Sequence, residues 1–129
     1  MSEVQEAFRR LAFNVLAGNR DDHARNFSFL MDPTGTWRIS PAYDLTFSPG
    51  INGEHTTAIA GEGRSPSLAH ISKVAQAVDL DGRRWKPIVE QVEAGIADWP
   101  RIAAQFDVPK SEISRLGSRL KEIKGEFRS

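Results

Sequence analysis

The 129-residue chain contains no cysteine. That absence excludes disulfides, thiolate zinc sites, iron–sulfur ligation and cysteine nucleophiles, and it fits a reducing compartment. Excess charge is lacking too. Seventeen Lys and Arg balance seventeen Asp and Glu, so no global field gathers polyanions and direct nucleic-acid binding is not expected. No apolar run approaches the roughly 18 residues of a membrane span. The opening, Met1-Ser2-Glu3-Val4-Gln5-Glu6, is acidic where a secretory signal is basic, so a cytoplasmic chain with no membrane partner is expected. Repeats, low-complexity tracts and charge runs are also missing, which leaves periodicity and punctuation as guides. What is present is ordinary: 40% hydrophobic and 26% charged residues, near globular averages. The length suits a single domain over residues 1–129, able to bury about two-thirds of its unfolded surface but too short for two cores.

Helical spacing comes first. Ser2 offers a cap, Glu3 and Glu6 suit a helix start, and Val4, Phe8, Leu11, Ala12, Val15 and Leu16 recur on one face, predicting a helix over about 3–17 that ends at Gly18. Phe27-Ser28-Phe29-Leu30-Met31 and Thr36-Trp37-Arg38-Ile39-Ser40 alternate apolar and polar around Asp32-Pro33-Thr34-Gly35, predicting a hairpin. Pro41 to Pro66 reads as a long ordered loop, interrupted by a strand-like piece at His55–Ile59. Ser67 caps a helix through Val78 with Leu68, Ile71, Val74, Ala75 and Val78 inward. A second helix over about 82–98 turns Trp85, Ile88, Val89, Val92 and Ile96 inward. Pro100 must break or restart that helix; Ile102, Ala103 and Phe106 continue a short one, and Ser111 opens a last helix with Ile113, Leu116, Leu120 and Ile123 inward. The expected fold class is mainly α with one β-hairpin.

The chemistry concentrates in Gly18-Asn19-Arg20-Asp21-Asp22-His23-Ala24-Arg25-Asn26, a run more polar and longer than a plain connector between an apolar helix and an apolar hairpin. Asp21 and Asn26 stand five residues apart, and Asp44 follows the hairpin, whose reversal can return its carboxylate beside the loop. Phosphoryl transfer needs an acceptor hydroxyl oriented and relieved of its proton, and hard oxygen ligands for magnesium. In protein kinases a catalytic-loop Asp is followed five residues on by a metal-binding Asn, and a second Asp arrives after a short hairpin. Asp21, Asn26 and Asp44 match that order.

The wording differs from common kinases. No His-Arg-Asp precedes the loop, and Leu45-Thr46 follows Asp44 in place of Phe-Gly. Instead "GNRDDHARNFSFL", followed by "WRISPAYDL", resembles the catalytic core of HipA-type serine/threonine kinases, toxins of bacterial toxin–antitoxin pairs. Their loop reads Asp-x-His-Ala-Lys/Arg-Asn, and their metal Asp lies in a Tyr-Asp pair. The later "EHTTAIAGEG" and the helical tail are compatible with the family's C-terminal domain, the lobe of a kinase-like fold. The resemblance implies that Asp21 is the catalytic base or orienting carboxylate and that Asn26 and Asp44 hold magnesium. It puts His23 among the catalytic-loop residues, where common kinases carry a phosphate-contacting Lys. Arg25 is left to contact the phosphate of the cofactor ATP or to pair with Asp22, and Tyr43 to pack beneath Asp44. A protein hydroxyl is the implied substrate, and a small DNA-binding antitoxin the implied partner.

Plainer readings compete for the other conspicuous residues. Asp22 reads as a solvent-facing or salt-bridged residue rather than a second catalyst. Trp37, Trp85 and Trp99 read as core or rim packing, Gly61-Glu62-Gly63 as loop punctuation, and His55 and His70 lack metal-ligand spacing. A complete kinase also needs a phosphate loop and a strand Lys paired with a helix Glu upstream of the catalytic loop, yet only twenty residues precede Asp21. The chain is therefore expected to correspond to the C-terminal portion alone, without the ATP-clamp lobe, and to be inactive by itself. A truncated reading frame, a lobe supplied by a separate chain, and a remnant kept for binding an antitoxin stay open as alternatives. The face left bare would favour a homo-oligomer.

Overall fold

The structure, a computed structural model, describes residues 2–129. Helix α1 spans Glu3–Leu16. It opens with a reciprocal capping box, in which the Gln5 amide donates to Ser2 Oγ at 3.1 Å and the Ser2 amide donates to the Gln5 side chain at 3.0 Å. Ala17 is its C-cap, and Gly18 follows at φ +65°. The glycine is required twice over. Its left-handed backbone is one that side chains rarely adopt, and a Cβ there would stand 2.9 Å from both Ile123 Cδ1 and Phe47 Cε2.

After a 3-10 turn at Ala24–Asn26, strands β1 (Phe29–Met31) and β2 (Trp37–Ile39) pair antiparallel with Phe29 opposite Ile39 and Met31 opposite Trp37. The strands are shorter than the alternation predicts. Asp32 shapes the connecting turn, accepting from the Thr34 amide at 2.8 Å and the Thr36 amide at 3.0 Å. The hairpin projects into solvent, with Phe29, Leu30, Met31 and Trp37 each more than half exposed, which corrects the reading of Trp37 as core or rim packing. Its root is fastened to α1: the Ile39 amide donates to the Glu3 carboxylate at 2.5 Å and Arg10 Nη2 donates to the Ser40 carbonyl at 2.5 Å.

Residues 41–66 form the expected loop, but His55–Ile59 is not a strand; among the described residues the loop makes isolated bridges, Ser48 with Asn19, Ile51 with Glu54 and Ile59 with Glu62. β-Branched residues at Thr56, Thr57 and Ile59 favour extension, but among the described residues no neighbouring strand offers a ladder, and the amides of Thr56, Thr57 and Ile59 donate instead to Arg20, Asp22 and Glu62. Helices α2 (Leu68–Ala77), α3 (Gly82–Ala97), α4 (Trp99–Gln105) and α5 (Lys110–Arg128) complete the fold. Asp98 ends α3 and starts α4, with Pro100 in the first turn of α4, where its missing N–H is harmless. The fold is thus mainly α with one antiparallel hairpin.

One core joins α1, α2, α3 and α5: Phe8, Ala12, Leu16, Ile71, Trp85, Val89 and Phe127 are all buried within it. Phe8 meets Trp85 edge to face with ring centroids 6.4 Å apart. Some helical residues named by periodicity stay out of it. Phe106 is 75% exposed, because it caps a helix of seven residues too short to present a second inward turn. Phe127, at the far end of α5, is buried instead.

Candidate functional site

The polar run leaves α1 as a connector whose backbone is folded against the loop that follows the hairpin. Asp21, His23 and Asp44 meet there: one carboxylate oxygen from each Asp and one imidazole nitrogen all lie within 4.8 Å of one another. His23 Nε2 stands 3.8 Å from Asp21 Oδ1. The hairpin makes this possible, since its antiparallel strands return residue 44 to the side of Asp21, 23 residues upstream.

Asp44 occupies the left-handed region at φ 54°, an uncommon conformation for a residue with a side chain and a form of strain that clusters at functional sites. Asn26 closes the run onto itself, its amide Nδ2 donating to the Asp21 carbonyl at 3.0 Å. That bond occupies the amide nitrogen and leaves the amide oxygen for another partner. Asn26 also lines a small cavity with Tyr43 and Leu45, the two flanks of Asp44.

Tyr43 does not merely pack below Asp44. Its hydroxyl donates to the Arg25 carbonyl at 2.7 Å and accepts from Ser28 Oγ at 2.5 Å. The ring is thus a cross-tie from the 3-10 turn and hairpin base to the residue beside Asp44. Arg25 is exposed and does not pair with Asp22. Asp22 is buried at 3% exposure and takes His55 Nδ1 at 2.9 Å instead. The trio itself is open, with Asp21 and Asp44 exposed and His23 half-buried. His23 Nδ1 is buried without a partner.

Several buried polar residues around the run were not singled out by sequence reasoning: Arg10, Asn14 and Asn19, with His55 as the partner of Asp22. Asn19 Nδ2 donates to Asn14 Oδ1 at 3.0 Å, and Arg10 Nε donates to Glu6 at 2.9 Å. The available signal was Arg10 and Asn14 at i, i+4 on the inward stripe of α1, where apolar residues belong. A cavity of about 500 Å³ lies elsewhere, lined by Phe13, Phe47, Ile96, Trp99 and Leu116 among others, and it takes in none of Asp21, His23 or Asp44.

These features define the class before any comparison: a mainly helical domain presenting a hard-donor cluster on a loop and hairpin. The chain belongs to the HipA-like C-terminal domain family, whose model matches residues 1–99. It is similar to two candidate kinases of Sinorhizobium fredii. Y4dM is 41% identical over 73 residues, 56% of this chain and 18% of that protein. Y4mE is 29% identical over 96 residues, 74% of this chain and 20% of that protein. A candidate kinase of Haemophilus influenzae is 38% identical over 45 residues, 35% of this chain and 13% of its own length. The matched segment thus spans a fifth or less of each of these curated relatives.

Proposed function

We propose that the chain is the catalytic C-terminal lobe of a HipA-like serine/threonine protein kinase of the toxin type. When completed by a nucleotide-binding lobe, it passes the γ-phosphate of ATP to a protein hydroxyl. The observation that carries this reading is the convergence of Asp21, His23 and Asp44 donor atoms within 4.8 Å. Two exposed carboxylates beside a half-buried imidazole make a donor-rich mouth beside which a divalent cation fits. Asp44 and the Asn26 amide oxygen would hold magnesium, which supplies neutralisation of phosphate charge when bound.

The chain's own residues then divide the work. The Asp21 carboxylate orients the acceptor hydroxyl and accepts its proton as the hydroxyl oxygen bonds to phosphorus and ADP leaves. His23, beside Asp21, adds a nitrogen donor to the cluster. Arg25, exposed on the adjoining turn, is free to reach a phosphate oxygen. Tyr43 keeps Asp44 at the mouth of the cluster through its two hydrogen bonds. The small cavity lined by Asn26, Tyr43 and Leu45 is far smaller than a nucleotide base needs, and the adenine pocket is assigned to the companion lobe. The exposed Phe29, Leu30, Met31 and Trp37 of the hairpin support docking of further polypeptide beside the site.

The test is transfer of labelled γ-phosphate to protein by the chain combined with such a lobe. Asp21→Asn should cut transfer by on the order of 10²–10⁴-fold with nucleotide affinity little changed. Asp44→Asn should instead raise the magnesium concentration needed for both ATP binding and turnover. Equal, small effects of the two substitutions would contradict the assigned roles. They would favour the second reading, a noncatalytic domain that binds an antitoxin or a separate N-terminal lobe through its helical tail. Calorimetry on the 129-residue chain alone should show negligible ATP affinity; micromolar binding would contradict the division between lobes.

A further inference from the structure

Residues 48–64 do more than fill the space between hairpin and α2. Every residue from Gly18 to Asp22 except Asp21 is fastened to this loop or buried against it. The Ser48 amide donates to the Gly18 carbonyl at 3.0 Å, the Arg20 amide to the Ser48 carbonyl at 3.2 Å and the Thr56 amide to the Arg20 carbonyl at 3.0 Å. The Arg20 guanidinium reaches the Pro49 carbonyl at 3.4 Å and the Arg64 carbonyl at 3.2 Å.

The tightest part of the seam is Asp22. Its Oδ2 receives His55 Nδ1 at 2.9 Å, its Oδ1 receives the Thr57 amide at 3.1 Å, and its carbonyl receives Thr57 Oγ1 at 2.6 Å. Both side chains of the Asp22–His55 pair are at most 3% exposed. Three hydrogen bonds converging on one buried residue fix its backbone as well as its carboxylate. Asp21 and His23 are its two chain neighbours. The loop that makes the seam is itself continuous with Asp44, four residues before Ser48.

From this geometry we infer that His55 and Thr57 are positioning residues: through Asp22 they hold Asp21 and His23 in register with Asp44. The inference rests on the reading of that trio as the working cluster. The protein thereby presents a cluster with exposed carboxylates on a peptide whose central residue, Asp22, is locked into the interior. Order at the cluster comes from the residue next to each donor rather than from burial of the donors themselves, in the manner of outer partners that orient metal ligands. Gly50 shows how closely the seam is drawn, since a Cβ there would fall 2.1 Å from the Glu54 carbonyl and 2.8 Å from Arg20 Cβ.

The experiment compares the whole chain with His55→Ala, His55→Asn and Thr57→Val by amide hydrogen exchange and by manganese titration. In His55→Ala, exchange of the Arg20, Thr56 and Thr57 amides should accelerate about tenfold while the α3 amides keep their rates. Manganese affinity should fall about tenfold in parallel. His55→Asn, which can still present an N–H toward Asp22, should recover most of both losses, and Thr57→Val should share them in milder form. Uniform acceleration across α3 and the loop would reduce His55 to a general stability residue and overturn the inference. So would unchanged manganese affinity in a folded His55→Ala that has lost seam protection. If the unaltered chain bound no manganese, the reading of the trio would fail, and exchange at the seam would by itself uphold or overturn the clamp.

Discussion

The helical part and the loop–hairpin part of this domain are held together by different forces. Between α1, α2, α3 and α5 the glue is buried apolar surface, with Ala12, Ile71 and Ala75 at 0% exposure. Across residues 19–66 few apolar side chains are fully buried, Ile59 being one at 1%. There the polypeptide is organised by hydrogen bonds to Asp22, Arg20, Asp32 and Tyr43. Apolar packing is forgiving of exact position, whereas hydrogen bonds fix angles and leave backbone and carboxylates near water. The first suits a frame and the second suits a site.

Substitutions should respect that division. The largest loss of stability should come from the frame: Phe127→Ala empties a fully buried site and should cost about 3–5 kcal/mol in urea denaturation, with the loop amides deprotected only as the whole chain unfolds. An intermediate effect belongs to the ion pair between α3 and α5. Arg128 Nε and Nη2 grip the Glu93 carboxylate at 2.8 and 2.6 Å. That hydrogen bonding, then the charge of Arg128, holds the Glu93 carboxyl below its ordinary value of 4.5.

A depressed carboxyl contributes stability that is present above the unfolded value and lost as pH falls through the folded one. The acid limb of a pH–stability curve should therefore be shallower in Glu93→Gln. Because Arg128 is 42% exposed, the loss near neutral pH should be only about 1–2 kcal/mol. The smallest effect is expected at the hairpin, where Trp37→Ala should change stability by less than about 0.5 kcal/mol. A drop of several kcal/mol there would mean that the hairpin belongs to the frame after all.

Much of the frame was legible in sequence because helical periodicity is a local signal. Leu68–Ala77 and Gly82–Ala97 fall within a residue or two of the segments marked by Ser67 and the apolar stripes. The hairpin was legible from Asp32-Pro33-Thr34-Gly35, although nothing in the alternation of Phe29 to Met31 reveals that both faces would be bare. The approach of Asp44 to Asp21 could be inferred from the antiparallel return of the chain.

Less visible was Asp22. Its partners sit 33 and 35 residues downstream, and no short-range pattern distinguishes a carboxylate destined for burial from one destined for solvent. His55–Ile59 misled for the converse reason, since its residue types favour a strand while its hydrogen bonds go to Arg20, Asp22 and Glu62.

The central claim is that Asp21, His23 and Asp44 converge at one site on the loop, beside which Asp44 and Asn26 would hold a cation. Paramagnetic broadening of amide signals during a manganese titration tests it most directly. The account expects residues 21–26 and 43–45 to broaden first, at substoichiometric manganese, while α2 and the outer turns of α3 stay sharp, and it expects Asp44→Asn to abolish that selectivity. Broadening that begins at Glu112, Glu122 and Glu126 on α5, or that is the same with and without the Asp44 carboxylate, would contradict it.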